Sequence, residues 1–92
     1  RLLAYKAAWL RDKKTERGLV TKMAAMAKAY AARVAIEVTN EAMQIHGGYG
    51  YVDSDLERYY RDCRIYDIIE GTGEIMRYIA ARECYNEIGF KL

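Results

Sequence analysis

The sequence predicts an all-α chain that folds as a helical bundle, and three observations support this. The 92 residues contain no proline, the residue whose ring interrupts helices. Hydrophobic residues make up 52% and charged residues 30% of the chain, a balance typical of amphipathic helices rather than of a disordered tail. Apolar residues also recur at steps of three and four, the spacing of one helix face.

The first two helices are predicted on either side of a polar segment. The apolar residues of the first helix are Leu2, Leu3, Tyr5, Ala8, Trp9 and Leu10. The segment from Asp12 to Gly18 is polar and ends in glycine, which predicts a connection. A long second helix follows from Leu19, and paired glycines at Gly47-Gly48 predict its end. Its apolar stripe comprises Met23, Met26, Tyr30, Val34, Val38, Ala42 and Ile45.

Two shorter helices are predicted in the second half, after a loop over residues 49–55. The third helix is expected from Leu56 to about Ile65, and the last from Gly73 to Ile88, with Gly89 as its stop. The inward-facing candidates of the last helix are Ile75, Tyr78, Ile79 and Tyr85.

An arginine row on the third helix has two interpretations. Arg58, Arg61 and Arg64 recur at steps of three, so they could bind a phosphate. On a helix such a row more often forms a solvated face, here paired with Glu57 and Asp62. We favour the solvated face.

Charge and cysteine content exclude several classes of function. The net charge is +2 and the two signs are interspersed, so no basic arm predicts nucleic-acid binding. Cys63 and Cys84 do not form a Cys-x-x-Cys pair, and one histidine cannot complete a metal site with them. We expect reduced thiols, no metal and no membrane span. A chain that starts at Arg1 within a helical pattern is expected to be a fragment.

The strongest candidate for chemistry is the segment from Asp67 to Arg77. Glu70 follows two isoleucines, which we expect to exclude water from it, and precedes a Gly-Thr-Gly turn that opens a helix capped by Thr72 or Gly73. A helix start stabilises an electron-rich oxygen, and a desolvated carboxylate suits a general base. Alternatively, Glu70 and Glu74 only offset the dipole of an exposed helix.

Four sequence blocks together resemble the carboxy-terminal helical domain of the flavin-dependent acyl-CoA dehydrogenases. They are Gln44-Ile45-His46-Gly47-Gly48-Tyr49-Gly50-Tyr51, Leu56-Glu57-Arg58-Tyr59-Tyr60-Arg61-Asp62, and Ile69-Glu70-Gly71-Thr72-Gly73-Glu74-Ile75-Met76-Arg77, followed by Ala80-Ala81-Arg82-Glu83. The resemblance is specific from about residue 40 to 85 and looser before it. In three respects the chain departs from the family pattern. The loop before Arg58 is slightly shorter and lacks the usual proline, and Gly73 replaces a frequent serine. Most importantly, these 92 residues lack the amino-terminal helical domain, the middle β-domain and the first part of the carboxy-terminal domain, which supply most of the flavin and acyl-CoA contacts in the family.

The resemblance implies a role for each site residue. Glu70 would be the catalytic base, its backbone N–H would hold the thioester oxygen, and Gly71 would contact the substrate. Thr72, Gly73 and Glu74 would approach FAD. A second FAD-contacting segment would reach the cofactor of a neighbouring subunit, and it comprises Gln44, Ile45, His46, Gly47 and Gly48. From the residues alone, Gly47-Gly48 is a helix cap and His46 a partner of the helix dipole.

The resemblance also implies the activity of a longer parent protein. That parent would oxidise acyl-CoA to trans-2-enoyl-CoA with FAD, as in fatty acid β-oxidation, and would pass electrons to an electron-transfer flavoprotein. It would be a homodimer or homotetramer of a bacterial cytoplasm or a mitochondrial matrix. We expect residues 1–92 to be one domain, truncated on its amino-terminal side and inactive alone. The alternatives are a non-catalytic helical assembly fragment and, less favoured, an acyl-CoA oxidase.

Overall fold

The computed structural model describes residues 1–52 and 54–90 and confirms the all-α fold, with no strand among these residues. Five α-helices and one 3₁₀ turn follow each other along the chain. They are α1 (Leu2–Asp12), α2 (Arg17–His46), α3 (Gly48–Tyr51), α4 (Asp55–Cys63), the 3₁₀ turn Arg64–Asp67 and α5 (Gly73–Glu87). No helix within the described ranges is long and apolar enough to cross a membrane.

Helix α2 organises the fold, because α5, α1 and α4 all pack against it. At 1.5 Å per residue its 30 residues extend for about 45 Å. The buried core is formed by small and medium-sized side chains: Leu10, Met23, Ala25, Ala32, Cys63 and Ala80. Alanines at the contacts let the helix axes approach closely, so the core is thin.

The connection predicted over residues 12–18 is shorter in the structure, because Asp12 is the last residue of α1 and residues 17 and 18 belong to α2. Helix α2 already begins at Arg17, and Gly18 lies inside its first turn. A β-carbon on Gly18 would lie 3.2 Å from Glu83 Oε2 on α5. Gly18 therefore allows close packing between α2 and α5, and a glycine that looks like a loop residue in the sequence is a packing residue in the fold.

The predicted loop over residues 49–55 was wrong at its start, where the short helix α3 forms directly after α2; Asp53 lies outside the described residues. Gly50 is buried in α3, and a β-carbon there would lie 2.9 Å from both His46 Cβ and Met43 O. This tight turn against the end of α2 requires glycine. Of the paired glycines only Gly47 has a positive φ, 58°, because Gly48 starts α3.

The third predicted helix corresponds to α4 and the 3₁₀ turn that continues it. Ser54 caps the start of α4, with its Oγ accepting a hydrogen bond from Glu57 N at 3.3 Å. The last helix, α5, agrees with the prediction to within one residue at its end.

The predicted apolar stripe of α2 is only partly buried. Met23 belongs to the core, whereas Tyr30, Val38 and Ile45 are 63%, 60% and 82% exposed. The inward assignment was also wrong for three exposed residues of α5, which are Ile75, Tyr78 and Tyr85. Periodicity identifies an apolar face but not its partner, and in the described chain the alanines make the contacts while the large side chains remain uncovered.

Candidate active site

The segment between the 3₁₀ turn and α5 contains two successive residues with left-handed backbone. The N–H groups of Ile68 and Ile69 both donate to Ile65 O, at 2.9 and 3.0 Å, and close the turn. Glu70 then has a φ of 56° and Gly71 a φ of 103°. A non-glycine residue in this region costs about 1–2 kcal/mol. Such strain persists only where neighbouring groups hold it, and it is concentrated at functional sites.

Helix α5 begins immediately after this turn. Thr72 is its N-cap and its Oγ1 accepts a hydrogen bond from Ile75 N at 3.3 Å, which resolves the predicted choice between Thr72 and Gly73. The backbone N–H of Glu74, then the Thr72 hydroxyl, donate to the Glu74 carboxylate and lower its pKa. The predicted helix start is therefore confirmed as a capped terminus with an acidic first turn.

A lysine of α2 reaches the Glu70–Gly71 turn. Lys28 Nζ donates a partly buried hydrogen bond to the carbonyl oxygen of Gly71. Beside this contact lies a mostly apolar cavity of about 290 Å³, lined by Lys28, Ala31, Ala32, Tyr66, Ile69 and Glu70. Sequence reasoning missed Lys28. Its signal was present, since Lys28 is the only charged residue between Lys22 and Arg33.

In this chain the Glu70 side chain is not shielded from water, contrary to the expectation from its isoleucine neighbours. Glu70 itself is exposed, and the side chains of Ile68 and Ile69 are 50% and 47% exposed. The two isoleucines flank the turn but have too few neighbours among the described residues to seal it. The backbone N–H of Glu70 donates no hydrogen bond within residues 1–52 and 54–90, so it is available to an external acceptor.

The second predicted segment, Gln44 to Gly48, lies at the carboxyl end of α2. His46 occupies the last turn, with Nδ1 2.9 Å from Ala42 O, as expected for a partner of the helix dipole. Gly47 and Gly48 are open, since nothing lies within 4 Å of a β-carbon built on either. A cavity of about 180 Å³ adjoins Gly47 and is lined by Asn40, Met43, Gln44, Gly47 and Tyr51. Ile45 is exposed.

The structure does not bring these two segments together. Lys28 marks the level of the Glu70 turn on α2, and Gln44 lies 16 residues further along the same helix, or about 24 Å at 1.5 Å per residue. Within one copy of the chain, Gln44 and Glu70 therefore belong to separate sites. This separation is compatible with the expectation that the Gln44 segment serves a neighbouring subunit.

The arginine row is a solvated face, as predicted. Arg58 Nη2 lies 2.9 Å from Asp55 Oδ1, while Arg61 lies 3.7 Å from Glu57 Oε1 and 3.9 Å from Asp62 Oδ1. The side chains of the arginines are more than half exposed. In the part of the chain that the structure describes, no group of three or more His, Cys, Asp or Glu residues could hold a metal ion.

Comparison with known proteins gives the family of this helical arrangement. Residues 1–85 match the family model described as acyl-CoA dehydrogenase, C-terminal domain. The chain belongs to the acyl-CoA dehydrogenase family. It is 51% identical over 82 residues to the mitochondrial short-chain specific acyl-CoA dehydrogenase of Bos taurus. The matched residues make up 88% of this chain and 19% of that protein.

Two further relatives of this acyl-CoA dehydrogenase domain have names that mention electron transfer. The caffeyl-CoA reductase-Etf complex subunit CarC of Acetobacterium woodii is 46% identical over 80 residues, covering 86% of this chain and 20% of that protein. A solved structure described as an electron transferring flavoprotein of Acidaminococcus fermentans superposes with a TM-score of 0.84 at 46% identity, over 91% of this chain and 22% of that one. The chain thus spans about a fifth of the length of these relatives.

Proposed function

We propose that the complete protein is an FAD-dependent acyl-CoA dehydrogenase in which Glu70 removes the α-proton of the thioester. The observation that carries this proposal is the position of Glu70, which a strained left-handed turn holds at a mostly apolar cavity of about 290 Å³. FAD, held by Thr72, Gly73 and Glu74 and by the Gln44 segment of a neighbouring subunit, would supply a hydride acceptor for the β-hydrogen, and the carbon–carbon double bond of trans-2-enoyl-CoA would form. The proton remains on the Glu70 carboxylate.

The backbone around Glu70 supports the same reaction. The N–H of Glu70 has no partner among the described residues, so it can donate to the thioester oxygen and stabilise the negative charge that develops there. Gly71, which follows at a φ of 103°, would contact the substrate. Because Glu70, Ile68 and Ile69 are open to water in this chain, the acyl group and the rest of the protein would complete the dry site.

The residues proposed to contact FAD fit neutral polar atoms better than a phosphate. Thr72, Gly73 and Glu74 form the start of α5, where free N–H groups are donors, but the Glu74 carboxylate there would repel an anion. This end would therefore hold an uncharged part of FAD. The segment of Gln44, Ile45, His46, Gly47 and Gly48 has open glycine backbone next to a cavity, which allows the FAD of a neighbouring subunit to approach closely.

The partners follow from the same assignment. We propose an electron-transfer flavoprotein as electron acceptor, supported by the Etf complex named for the Acetobacterium woodii relative. We further propose a homodimer or homotetramer, in a bacterial cytoplasm or a mitochondrial matrix, with no nucleic-acid partner. Since the same relative is named a reductase, the reaction should be assayed in both directions.

Replacement of Glu70 by glutamine in the complete protein tests the assignment. Glu70→Gln preserves the shape of the side chain and removes its basicity, so we expect bound flavin at the native ratio and loss of acyl-CoA-dependent dye reduction. Glu37→Gln is the matched control, because Glu37 is an exposed carboxylate paired with Arg33 at 2.8 Å on α2, and it should keep native turnover. Near-native dye reduction by Glu70→Gln would refute the proposal.

A helical assembly module is the second candidate function, and a large open groove favours it. The groove has a volume of about 660 Å³ and is lined mainly by the start of α1 and one side of α2. Leu2, Tyr30 and Val38 on its walls are exposed. An uncovered apolar surface of this kind is typical of an association site.

Gel filtration of the 92-residue chain with FAD separates the two candidates. A dimer or larger species without flavin would support the assembly function, whereas flavin that elutes with protein would show that the Gln44 and Thr72 segments bind cofactor without other domains. A stable folded monomer would count against the assembly module.

A further inference from the structure

Among the described residues, Lys28 is the one side chain of α2 that hydrogen-bonds to the Glu70–Gly71 turn. Its Nζ donates to Gly71 O across 43 residues of sequence, and the bond is partly buried. Lys28 and Glu70 are also the two charged residues that line the cavity of about 290 Å³. A hydrogen bond from a charged donor is about twice as strong as a neutral one.

A link of this kind stabilises the left-handed turn. Glu70 has a φ of 56° and is followed by Gly71 at 103°, so the carboxylate-bearing residue occupies a conformation that costs about 1–2 kcal/mol. Thr72 fixes the turn from the α5 side through its cap. On the α2 side, Lys28 holds the Gly71 carbonyl.

The hydrogen bond from Lys28 also restricts the backbone next to it, because the peptide bond is planar. Because the peptide between Gly71 and Thr72 is planar and trans, a carbonyl that points at Lys28 directs the N–H of Thr72 the opposite way. The orientation of this peptide in turn limits the rotation available at Gly71 and therefore the direction in which the Glu70 side chain leaves the backbone.

We propose that Lys28 is a positioning residue that holds the Glu70–Gly71 turn in its left-handed geometry and so aims the Glu70 carboxylate at the substrate α-carbon. This inference rests on the proposed role of Glu70. Lys28 itself need not touch substrate or FAD. A purely structural lysine would support folding and flavin retention but would not change proton abstraction by the folded, loaded enzyme.

The test compares variants of the complete flavin-loaded protein, with rates expressed per bound flavin. Lys28→Met removes the donor, and we expect kcat to fall by about 10²-fold, the loss produced by a displacement of about 1 Å at a reacting group, while KM for acyl-CoA changes little. Exchange of the substrate α-hydrogen with D₂O, followed by mass spectrometry, should slow by a similar factor. Lys28→Arg keeps a charged donor and should recover most of both rates.

Lys22→Met is the matched control, since Lys22 is another lysine of α2 and pairs with Glu87 rather than with the turn; it should keep native kcat and α-hydrogen exchange. If Lys28→Met does not retain flavin, Lys28→Gln, which is polar but too short to replace the ammonium, is measured in its place. Native kcat and native α-hydrogen exchange per flavin in the loaded Lys28 variant would overturn the inference.

The outcome for Glu70→Gln separates the two proposals. Loss of turnover in Glu70→Gln with native rates in Lys28→Met overturns the positioning role alone. Native turnover in Glu70→Gln overturns the assignment of the base, and the positioning role is then overturned with it.

Discussion

Gly73 lies directly against the carboxylate of Asp67, so that a β-carbon on Gly73 would fall 2.5 Å from Asp67 Oδ1. The side chain of Asp67 is only 17% exposed, and its Oδ2 lies 3.8 Å from Arg64 Nη1. Oδ1 is buried without a hydrogen-bond partner among the described residues. The absence of a side chain at Gly73 therefore lets the 3₁₀ turn pack onto the start of α5.

We expect Gly73→Ala to lower the free energy of unfolding by about 1–3 kcal/mol, the usual effect of overpacking. Urea titration of the 92-residue chain measures it. Gly48→Ala is the control, because nothing lies within 4 Å of a β-carbon there. Asp67→Ala in the Gly73→Ala background should restore part of the loss. Equal effects of the two glycine substitutions would contradict the close contact.

The cap of α5 gives a second prediction. Thr72→Ala removes the hydroxyl that accepts from Ile75 N, and we expect the free energy of unfolding to fall by about 1 kcal/mol. Thr72→Ser keeps the oxygen and should lie close to the native value in the same urea titration. A serine variant as unstable as the alanine variant would assign the effect to the lost methyl group instead.

The pKa of Glu74 predicts a pH dependence. Its own backbone N–H and the Thr72 hydroxyl hold this pKa below the ordinary 4.5. The stabilising effect of the carboxylate is therefore fully present above pH 4.5 and is lost as the pH falls through the lowered folded-state value.

NMR titration of the Glu74 side-chain carboxyl carbon should give a midpoint below 4.5, and Thr72→Ala should move it upward. Glu74→Gln should flatten the acid side of the stability profile. A native midpoint at or above the ordinary value would argue against the hydrogen bonds to this carboxylate.

Loss of an arginine from the exposed face of α4 should change the stability of the fold only slightly. Arg61 is 68% exposed and lies 3.7 Å from Glu57 and 3.9 Å from Asp62. Solvated pairs of this kind contribute little, so Arg61→Gln should change the free energy of unfolding by less than about 0.5 kcal/mol. Thermal unfolding at low and high salt measures this change in stability. A loss above about 1 kcal/mol would mean that Arg61 makes stabilising interactions beyond these two exposed ion pairs.

Local sequence signals predicted most of the secondary structure. Periodicity located α2 and α5, and the Thr72 cap and the positive φ of Gly47 followed from turn and capping chemistry. Local rules failed where tertiary packing decides the role of a glycine. Gly18 lies close to Glu83 of α5, and Gly50 is buried against the end of α2; no local pattern distinguishes either residue from a loop glycine.

The residues of the candidate site could be proposed from the sequence, and their roles stay a prediction, whereas the contact that supports the turn could not be proposed. The Glu70 turn and the start of α5 are short, contiguous segments, so the sequence shows them together. The bond from Lys28 to Gly71 joins positions 43 residues apart, and only the fold brings them into contact. The uncovered Ile68 and Ile69 likewise depend on neighbours that one-dimensional spacing cannot supply.

The left-handed backbone of Glu70 sets a conflict between stability and activity at one position. Glycine adopts a φ of 56° without the penalty that glutamate incurs, so Glu70→Gly relieves the backbone while it deletes the proposed base. Selection for a more stable fold alone would favour the loss of this carboxylate. Under the proposed role, the side chain that proton abstraction requires at this position is one that the backbone conformation disfavours.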